Sequence, residues 1–349
     1  MTYDFLIVGA GLTGAICAYE LSKKNYSVLV IDKRNHIGGN CYTERRLKNI
    51  DVHLYGAHIF HTDNKEVWDY INQFDNFLPF KNIVKAEYND KEYTLPFNLT
   101  TLNEVYGHKI KQPTKQGDYS NIEEYAINEL GEKLYRILIQ GYTEKQWGLP
   151  CKDLPIEIIK RIPIRENYDD NYYDVKYQGI PQNGYTHIFK QLLQNIPLRL
   201  NTSFNQIKNK VSYKKLIYTG IIDEYYDYCF GKLPYRSLDF AHIIKKGTYQ
   251  TNAVRNYTSI NIPYTRTIEH KHFLNCKNDK TIISFEFPSD YDSSNEPYYP
   301  INTKQNNTLY SKYASLPNKE VYFLGRLGQY KYMNMSDTIS NALNFCKKF

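Results

Sequence analysis

The chain has little of what marks metal, disulfide or nucleic-acid proteins. Its six cysteines (Cys17, Cys41, Cys151, Cys229, Cys276 and Cys346) lie far apart, and no two form a Cys-x-x-Cys pair. That spacing argues against a zinc site or a disulfide scaffold and predicts a reducing compartment with no bound metal. The 44 Lys and Arg outnumber the 37 Asp and Glu, a formal charge of +7, yet the cations form no run of five or six. A nucleic-acid tract is therefore not expected, and a small anionic ligand needs only a few placed cations. No uncharged apolar run approaches the ~18 residues that span a bilayer. The first strand pattern begins near Tyr3 with no basic leader before it, so the expected location is the cytoplasm. What is abundant is tyrosine, 35 residues against 16 phenylalanines. Its apolar ring and polar tip suit the gripping of polar organic ligands, although a low-GC coding bias is the simpler source of the excess.

The most informative stretch is YDFLIVGAGLTGAICAYELSKKNYSVLVIDKRNHIGGN. A short apolar strand, Phe5 to Val8, runs into Gly9-Ala-Gly11-Leu-Thr-Gly14, a helical pattern through Ala15, Ala18 and Leu21, and a second strand ending on Asp32. A Gly-x-Gly-x-x-Gly turn between strand and helix, with an acidic residue about 20 positions on, is the dinucleotide-binding fingerprint. Gly9 allows the tight turn, Gly11 lets the backbone approach a pyrophosphate, and Gly14 lets the helix pack on the sheet. The helix N-terminus offers free N–H groups to the phosphates, and Asp32 accepts from the ribose. The second glycine pair, Gly38-Gly39, follows soon after Asp32 and adds N–H groups near an extended cofactor. It points to FAD of the glutathione-reductase or amine-oxidase type rather than to a simple dehydrogenase. The C-terminal VYFLGRLGQYKYMNMSDTISNALNF reads as a strand, a Gly-Arg turn and a helix starting near Asn334 or Ser336, whose N-terminus favours negative charge on a reduced flavin.

Elsewhere, FNLTTLNEVYG through GYTEKQWG reads as helical, and KAEYNDKEYTLPF as a hairpin turning at Asn89-Asp90. GYTHIFKQLLQNI reads as a helix after Gly184, and TNAVRNYTSI, YTRTIEHKHF and KTIISFEFP as strands. The fold class expected is α/β: a Rossmann-like FAD-binding domain (residues 1–76, 186–234 and 318–349), an inserted helical domain (99–164), and an antiparallel sheet and substrate domain (77–98, 165–185 and 235–317).

YGAHIFHT, LPFN, GYTEKQWG, IKRIPIR, DDNYY, YQGIP, YTGIIDEYY, YTRTIEHKHF, EPYYPI and GRLGQYKY occur in this order. On these strings the chain resembles the bacterial UDP-galactopyranose mutase family from Tyr3 to about residue 340. The resemblance implies a homodimer with a substrate cleft over the flavin. It assigns Tyr142, Thr143 and Trp147 to the uridine end, where an aromatic face stacks a base. It gives Arg161 and Arg266 to the diphosphate, which a guanidinium fork can hold bidentately. Tyr172, Tyr299 and Tyr332 join them as hydroxyl donors, and Asn82 belongs to the same substrate set. His58 falls at the flavin face, beside His61, and Arg326 contacts the flavin or its phosphate. Lys33, Asn40 and Asn334 complete the cofactor set. Arg34 and Arg165 are read as structural ion-pair residues, and Tyr173, Tyr298 and Tyr330 as packing.

The implied chemistry is an isomerisation with no net redox. Reduced FAD, kept reduced by an external reductant, attacks the anomeric carbon through N5 and UDP leaves. The N5–sugar adduct opens, the 4-hydroxyl closes a five-membered ring, and UDP returns to give UDP-galactofuranose. Arg161 and Arg266 stabilise the departing diphosphate. Three residues depart from the commonest family pattern: Ala57 for proline, Ile221 for proline, and Asn334 for aspartate. The last removes a negative charge near the site, so dTDP-fucopyranose and UDP-N-acetylgalactosamine stand as alternative substrates. Rival readings are a flavin oxidase of the amine-oxidase type and a non-catalytic module like the GDP-dissociation inhibitors; the arginine and tyrosine set favours a diphosphate over both.

Overall fold

The structure, a computed structural model, describes residues 2–107 and 117–349. Its N-terminal strand Thr2–Val8 lies inside a five-stranded parallel sheet in the order Leu198–Arg199, Val28–Ile31, Thr2–Val8, Ser212–Tyr218, Val321–Phe323. Val28, Leu29, Val30 and Ile31 are all buried, the unbroken apolar run required of a strand covered on both faces. One cover is the helix Leu12–Lys23, packed against the last helix, Met335–Cys346. Ile16, Leu21, Phe189, Ile339 and Phe345 meet in that layer. The chain leaves Thr2–Val8 toward Val28–Ile31 on one side, and Ser212–Tyr218 flanks it on the other. The order therefore reverses beside Thr2–Val8, at the place where open α/β sheets bind ligands.

A seven-stranded sheet carries the substrate side, in the order Tyr299–Pro300, Tyr235–Lys246, Lys280–Asp290, Arg266–Glu269, Val254–Tyr257, Val84–Tyr88, Lys91–Leu95. The hairpin turn falls on Asn89 and Asp90 as read, with φ of 51° and 64°. The sheet is not purely antiparallel, however: Val254–Tyr257 runs parallel to Val84–Tyr88. Parallel neighbours need a long crossover, and here the helices and much of the chain intervene. Phe77–Pro79 and Tyr177–Pro181, grouped with this sheet from sequence, belong instead to a separate three-stranded sheet in which Tyr177–Pro181 pairs with Phe60–Thr62 on one side and Phe77–Pro79 on the other.

The helical stretch comprises Leu99–Tyr106, Ile122–Leu130, Glu132–Leu134, Tyr135–Gln140, Gly141–Trp147 and Glu157–Lys160; residues 108–116 of it lie outside the described residues. Leu102, Val105, Ile122, Ala126, Leu130 and Leu138 pack on Val84, Ala86, Leu95, Val254 and Ile268 of the large sheet. Tyr135–Gln140 is wound as a π-helix directly before Gly141–Trp147, a local widening that recurs at functional sites.

Candidate active site

The glycine turn at the switch point is shaped by close approach. Gly9 has φ of 106°, and a Cβ there would come within 2.0 Å of the Thr219 hydroxyl. A Cβ on Gly14 would meet the Gly9 carbonyl at 1.9 Å, so the helix packs on the turn only because that position lacks one. The second turn, Gly38 (φ 95°) and Gly39 (φ 53°), lies against the first: Gly38 N–H donates to the Ala10 carbonyl at 2.9 Å, and Gly39 faces Gly11. Asp32 is fixed at the strand end, its carboxylate accepting from Ala10 N–H at 2.7 Å and Arg34 N–H at 2.8 Å. Arg34 lies over the Tyr55 ring, with Nη2 donating to Asn40 and Glu296 at 3.0 Å each, while its buried Nη1 has no partner. An unpartnered buried guanidinium N–H is costly unless something accepts from it. Two abutting glycine turns, a fixed carboxylate and that N–H together suit the ribose and phosphate oxygens of a dinucleotide. Lys33 points to the surface and pairs with Glu296 at 3.1 Å.

Beyond Asn40 opens a cavity of about 1090 Å³. Leu138, Ile139, Tyr142, Thr143, Gln146 and Trp147 line it, a spacing that puts one continuous helical face toward the lumen. Arg161 follows the short helix Glu157–Lys160 and donates to the Tyr332 hydroxyl at 2.7 Å. Arg266 opens its strand and donates through Nη2 to the Tyr142 hydroxyl at 2.6 Å; its Nη1 is 3.6 Å from the buried Glu286 carboxylate, and its buried Nε is unpartnered. Arg326 is anchored on the carbonyls of Tyr298 (3.0 Å) and Met333 (2.6 Å), over the rings of Tyr299 and Tyr332. Those two rings stack at 5.5 Å, with Trp147 at 6.0 and 6.3 Å from them. Burial pushes the hydroxyls of Tyr172 and Tyr299 up, holding them protonated as donors. Burial acts the same way on Tyr332, but Arg161, Arg326 and Arg266 outweigh it and leave that hydroxyl below its usual range. Two guanidiniums thus touch this phenol, Arg161 at its hydroxyl and Arg326 over its ring, with Arg266 on the same cavity, a strongly anion-seeking centre.

His58 lies on the cavity wall with Nδ1 2.7 Å from the Gly56 carbonyl. That contact requires the proton on Nδ1 and leaves Nε2 as an acceptor. Burial pulls its pKa down to about 4, so the ring is neutral. His61 also lines the cavity and stacks on Tyr173 at 3.7 Å. Asn334 caps the last helix, accepting from Asp337 N–H at 2.8 Å, and with Met335 it brings that helix N-terminus to the cavity.

The cavity therefore gathers Arg161, Arg266, Tyr142, Thr143, Trp147, Tyr172, Tyr299, Tyr332, His58, Asn40, Arg326 and Asn334, while Gly9, Gly11, Gly14, Asp32, Gly38 and Gly39 form the glycine cradle. Asn82 does not line the cavity: it is 2% exposed and acts from behind the wall, its carbonyl accepting from Tyr172 N–H at 2.8 Å. Tyr173 and Tyr298 line the cavity, where packing was expected, and Tyr330 does pack, donating to the Pro234 and Ile301 carbonyls. Arg34 and Arg165 hold ion pairs as read. Ala57 lines the cavity; Ile221 is buried in a separate cluster. Glu286 was missed, although a carboxylate inside the apolar strand run IISFEF is a signal for a buried, paired charge.

A family model described as UDP-galactopyranose mutase matches residues 137–332, and one described as an NAD(P)-binding Rossmann-like domain matches residues 7–74. A probable UDP-galactopyranose mutase of Klebsiella pneumoniae is 40% identical over 99% of this chain and 94% of its own length. A dTDP-fucopyranose mutase of Escherichia coli is 39% identical over 97% of this chain and 96% of its own. A crystal structure of reduced UDP-galactopyranose mutase shares the fold with a TM-score of 0.76, at 19% identity, over 99% of this chain and 93% of that one. With a family model covering more than half of the chain and relatives matched end to end, the chain belongs to the UDP-galactopyranose mutase family and is an enzyme of the isomerase kind.

Proposed function

We propose that the chain binds FAD in the glycine cradle and interconverts the pyranose and furanose forms of a nucleotide-activated sugar, with UDP-galactopyranose as the first candidate. The observation that carries this reading is that Arg161, Arg266 and Arg326 line one cavity with Tyr332, which Arg161 hydrogen-bonds and Arg326 overlies, beside the Trp147 face. A diphosphate needs cations and donors, and a uracil needs an aromatic plane; one wall offers both. The same three guanidiniums repel a protonated amine, which counts against an amine-oxidase activity.

When bound in its reduced form, the flavin supplies a nucleophile at the anomeric carbon, so the reaction needs no net electron transfer. The chain's own residues do the rest. Arg161 and Arg266, each already tied to a tyrosine hydroxyl, hold the diphosphate where charge grows as the glycosidic bond breaks. Tyr172 and Tyr299 donate from protonated hydroxyls. Trp147 and Tyr142 keep the nucleotide in place while it is detached. Neutral His58 presents Nε2 as an acceptor, and the N-terminus of Met335–Cys346 favours negative charge on the cofactor.

Near-equal similarity to a dTDP-fucopyranose mutase, 39% against 40%, and the neutral Asn334 keep a deoxysugar substrate in view. Dithionite-reduced enzyme is to be given UDP-galactopyranose, UDP-N-acetylgalactosamine and dTDP-fucopyranose separately without oxygen, and the furanose resolved by chromatography. Conversion of UDP-galactopyranose, lost on oxidation of the flavin, is the expected result. Turnover of another sugar alone keeps the chemistry and moves the substrate; no furanose from any of the three overturns the reading.

A further inference from the structure

The helix that lines the cavity with Tyr142 and Trp147 has a second, opposite face, spaced by four: Ile137, Gly141 and Lys145. All three meet the segment Tyr257–Tyr264, which leads into Arg266. The Thr258 hydroxyl donates to the Ile137 carbonyl at 2.6 Å. Thr258 also presses its carbonyl against Gly141 so closely that a Cβ there would come within 2.3 Å. Lys145 then reaches into the segment. Its Nζ lies 2.8 Å from the Tyr257 carbonyl, 2.8 Å from Ser259, 2.9 Å from Ile262 and 3.1 Å from Tyr264.

An ammonium has three protons, and here its hydrogen-bond partners are four carbonyl oxygens and no carboxylate. A ring of backbone carbonyls at such distances is how proteins strip and hold a monovalent cation. That charge offsets the mutual repulsion of four inward-pointing carbonyls in a turn that the Ile262 N–H also closes on the Ser259 carbonyl at 3.3 Å. At the two ends of the clamp stand Tyr142 and Arg266, joined by a 2.6 Å hydrogen bond across the cavity wall.

We propose that Lys145 is a built-in monovalent cation: its ammonium fills a four-carbonyl site that fixes Arg266 relative to Tyr142 and Trp147, and removing it converts the protein into one that needs an external cation. Lys145 is thus a positioning residue for the nucleotide-sugar site, and its turnover readout rests on the mutase function proposed above. Lys145→Ala removes three methylenes and the ammonium, the volume of n-propylammonium, and Lys145 is only half-buried, so small cations can enter.

The test compares Lys145→Ala with the unaltered holoenzyme in choline, sodium, potassium, ammonium and n-propylammonium chlorides at equal ionic strength, reading melting temperature and turnover. In choline the variant is expected to melt several degrees lower and to lose about tenfold or more in kcat/KM, chiefly through KM, the scale of a small misplacement of binding groups. Potassium, ammonium or n-propylammonium restores most of both, and the unaltered enzyme responds to none. Lys145→Met, which fills the same space without charge, stays impaired in every salt. A variant that folds only in potassium or n-propylammonium supports the proposal as well. It is overturned if Lys145→Ala matches the unaltered enzyme in choline, if every cation leaves the loss unchanged or the variant unfolded, or if Lys145→Met is fully active. Absence of turnover from the unaltered enzyme counts against the mutase reading alone, and the melting temperatures then decide this one.

Discussion

Arg266 is held from two sides, by the Tyr142 hydroxyl and by the Glu286 carboxylate, and its Nε is left free in a buried place. A lysine keeps the charge but not the planar fork that reaches both partners and a phosphate at once. Arg266→Lys is therefore predicted to lower kcat/KM by about 10- to 100-fold, the effect of ~1.4–2.8 kcal/mol, with the flavin spectrum unchanged. Steady-state kinetics checks it; a change within twofold refutes the role given to the fork. Trp147→Ala is predicted to weaken uridine-diphosphate binding by ~1–3 kcal/mol, the contribution of one stacked base, measurable by calorimetry, with Trp147→Phe losing less. The roles given to GYTEKQWG and IKRIPIR came from the family resemblance, and the structure brings Tyr142, Thr143, Trp147 and Arg161 to one cavity. Glu286 and Asn82 were not legible, since the first is defined by what it faces across a sheet and the second by a wall it supports from behind.

At the scale of elements, the active-site helix depends on how closely a loop can approach it. Gly141→Ala places a methyl against the Thr258 carbonyl, and overpacking of that kind costs about 1–3 kcal/mol. A lower melting temperature together with a raised KM is expected, because the helix shift moves Tyr142 and Trp147; an unchanged KM contradicts the coupling. The hairpin gives a contrary case. Asp90 sits at φ of 64°, where glycine is unstrained and Asn-Gly is the favoured pair, so Asp90→Gly should raise the melting temperature slightly and leave kinetics alone. Turns and amphipathic helices of this sort are local and were readable from their residues. The parallel pairing of Val254–Tyr257 with Val84–Tyr88 was not, because neither strand's pattern states its partner, and nothing in a helical periodicity announces the π turn before Gly141.

For the molecule as a whole, the Rossmann unit was visible in the first forty residues, and its closure by the C-terminal strand and helix followed from the apolar run and cap at that end. Stability should also carry the mark of the buried histidines. His58 and His270 are held by burial at about 4 and about 3, below the usual 6.5. The unfolded chain takes up protons first, so their contribution is complete above pH 6.5 and is lost as pH falls toward 4, by about 3 kcal/mol for His58. Melting temperatures measured from pH 7.5 to 4.5 should decline across that window; a flat profile rejects the buried, neutral assignment. The proposed use of the cofactor without net oxidation is checked by counting electrons. Enzyme reduced with one equivalent of dithionite per flavin is mixed anaerobically with excess UDP-galactopyranose, and furanose is measured by chromatography while flavin absorbance is followed. Many furanose molecules per flavin, with the flavin still reduced, are expected; one product per flavin, with the flavin oxidised in step, rules the proposed chemistry out.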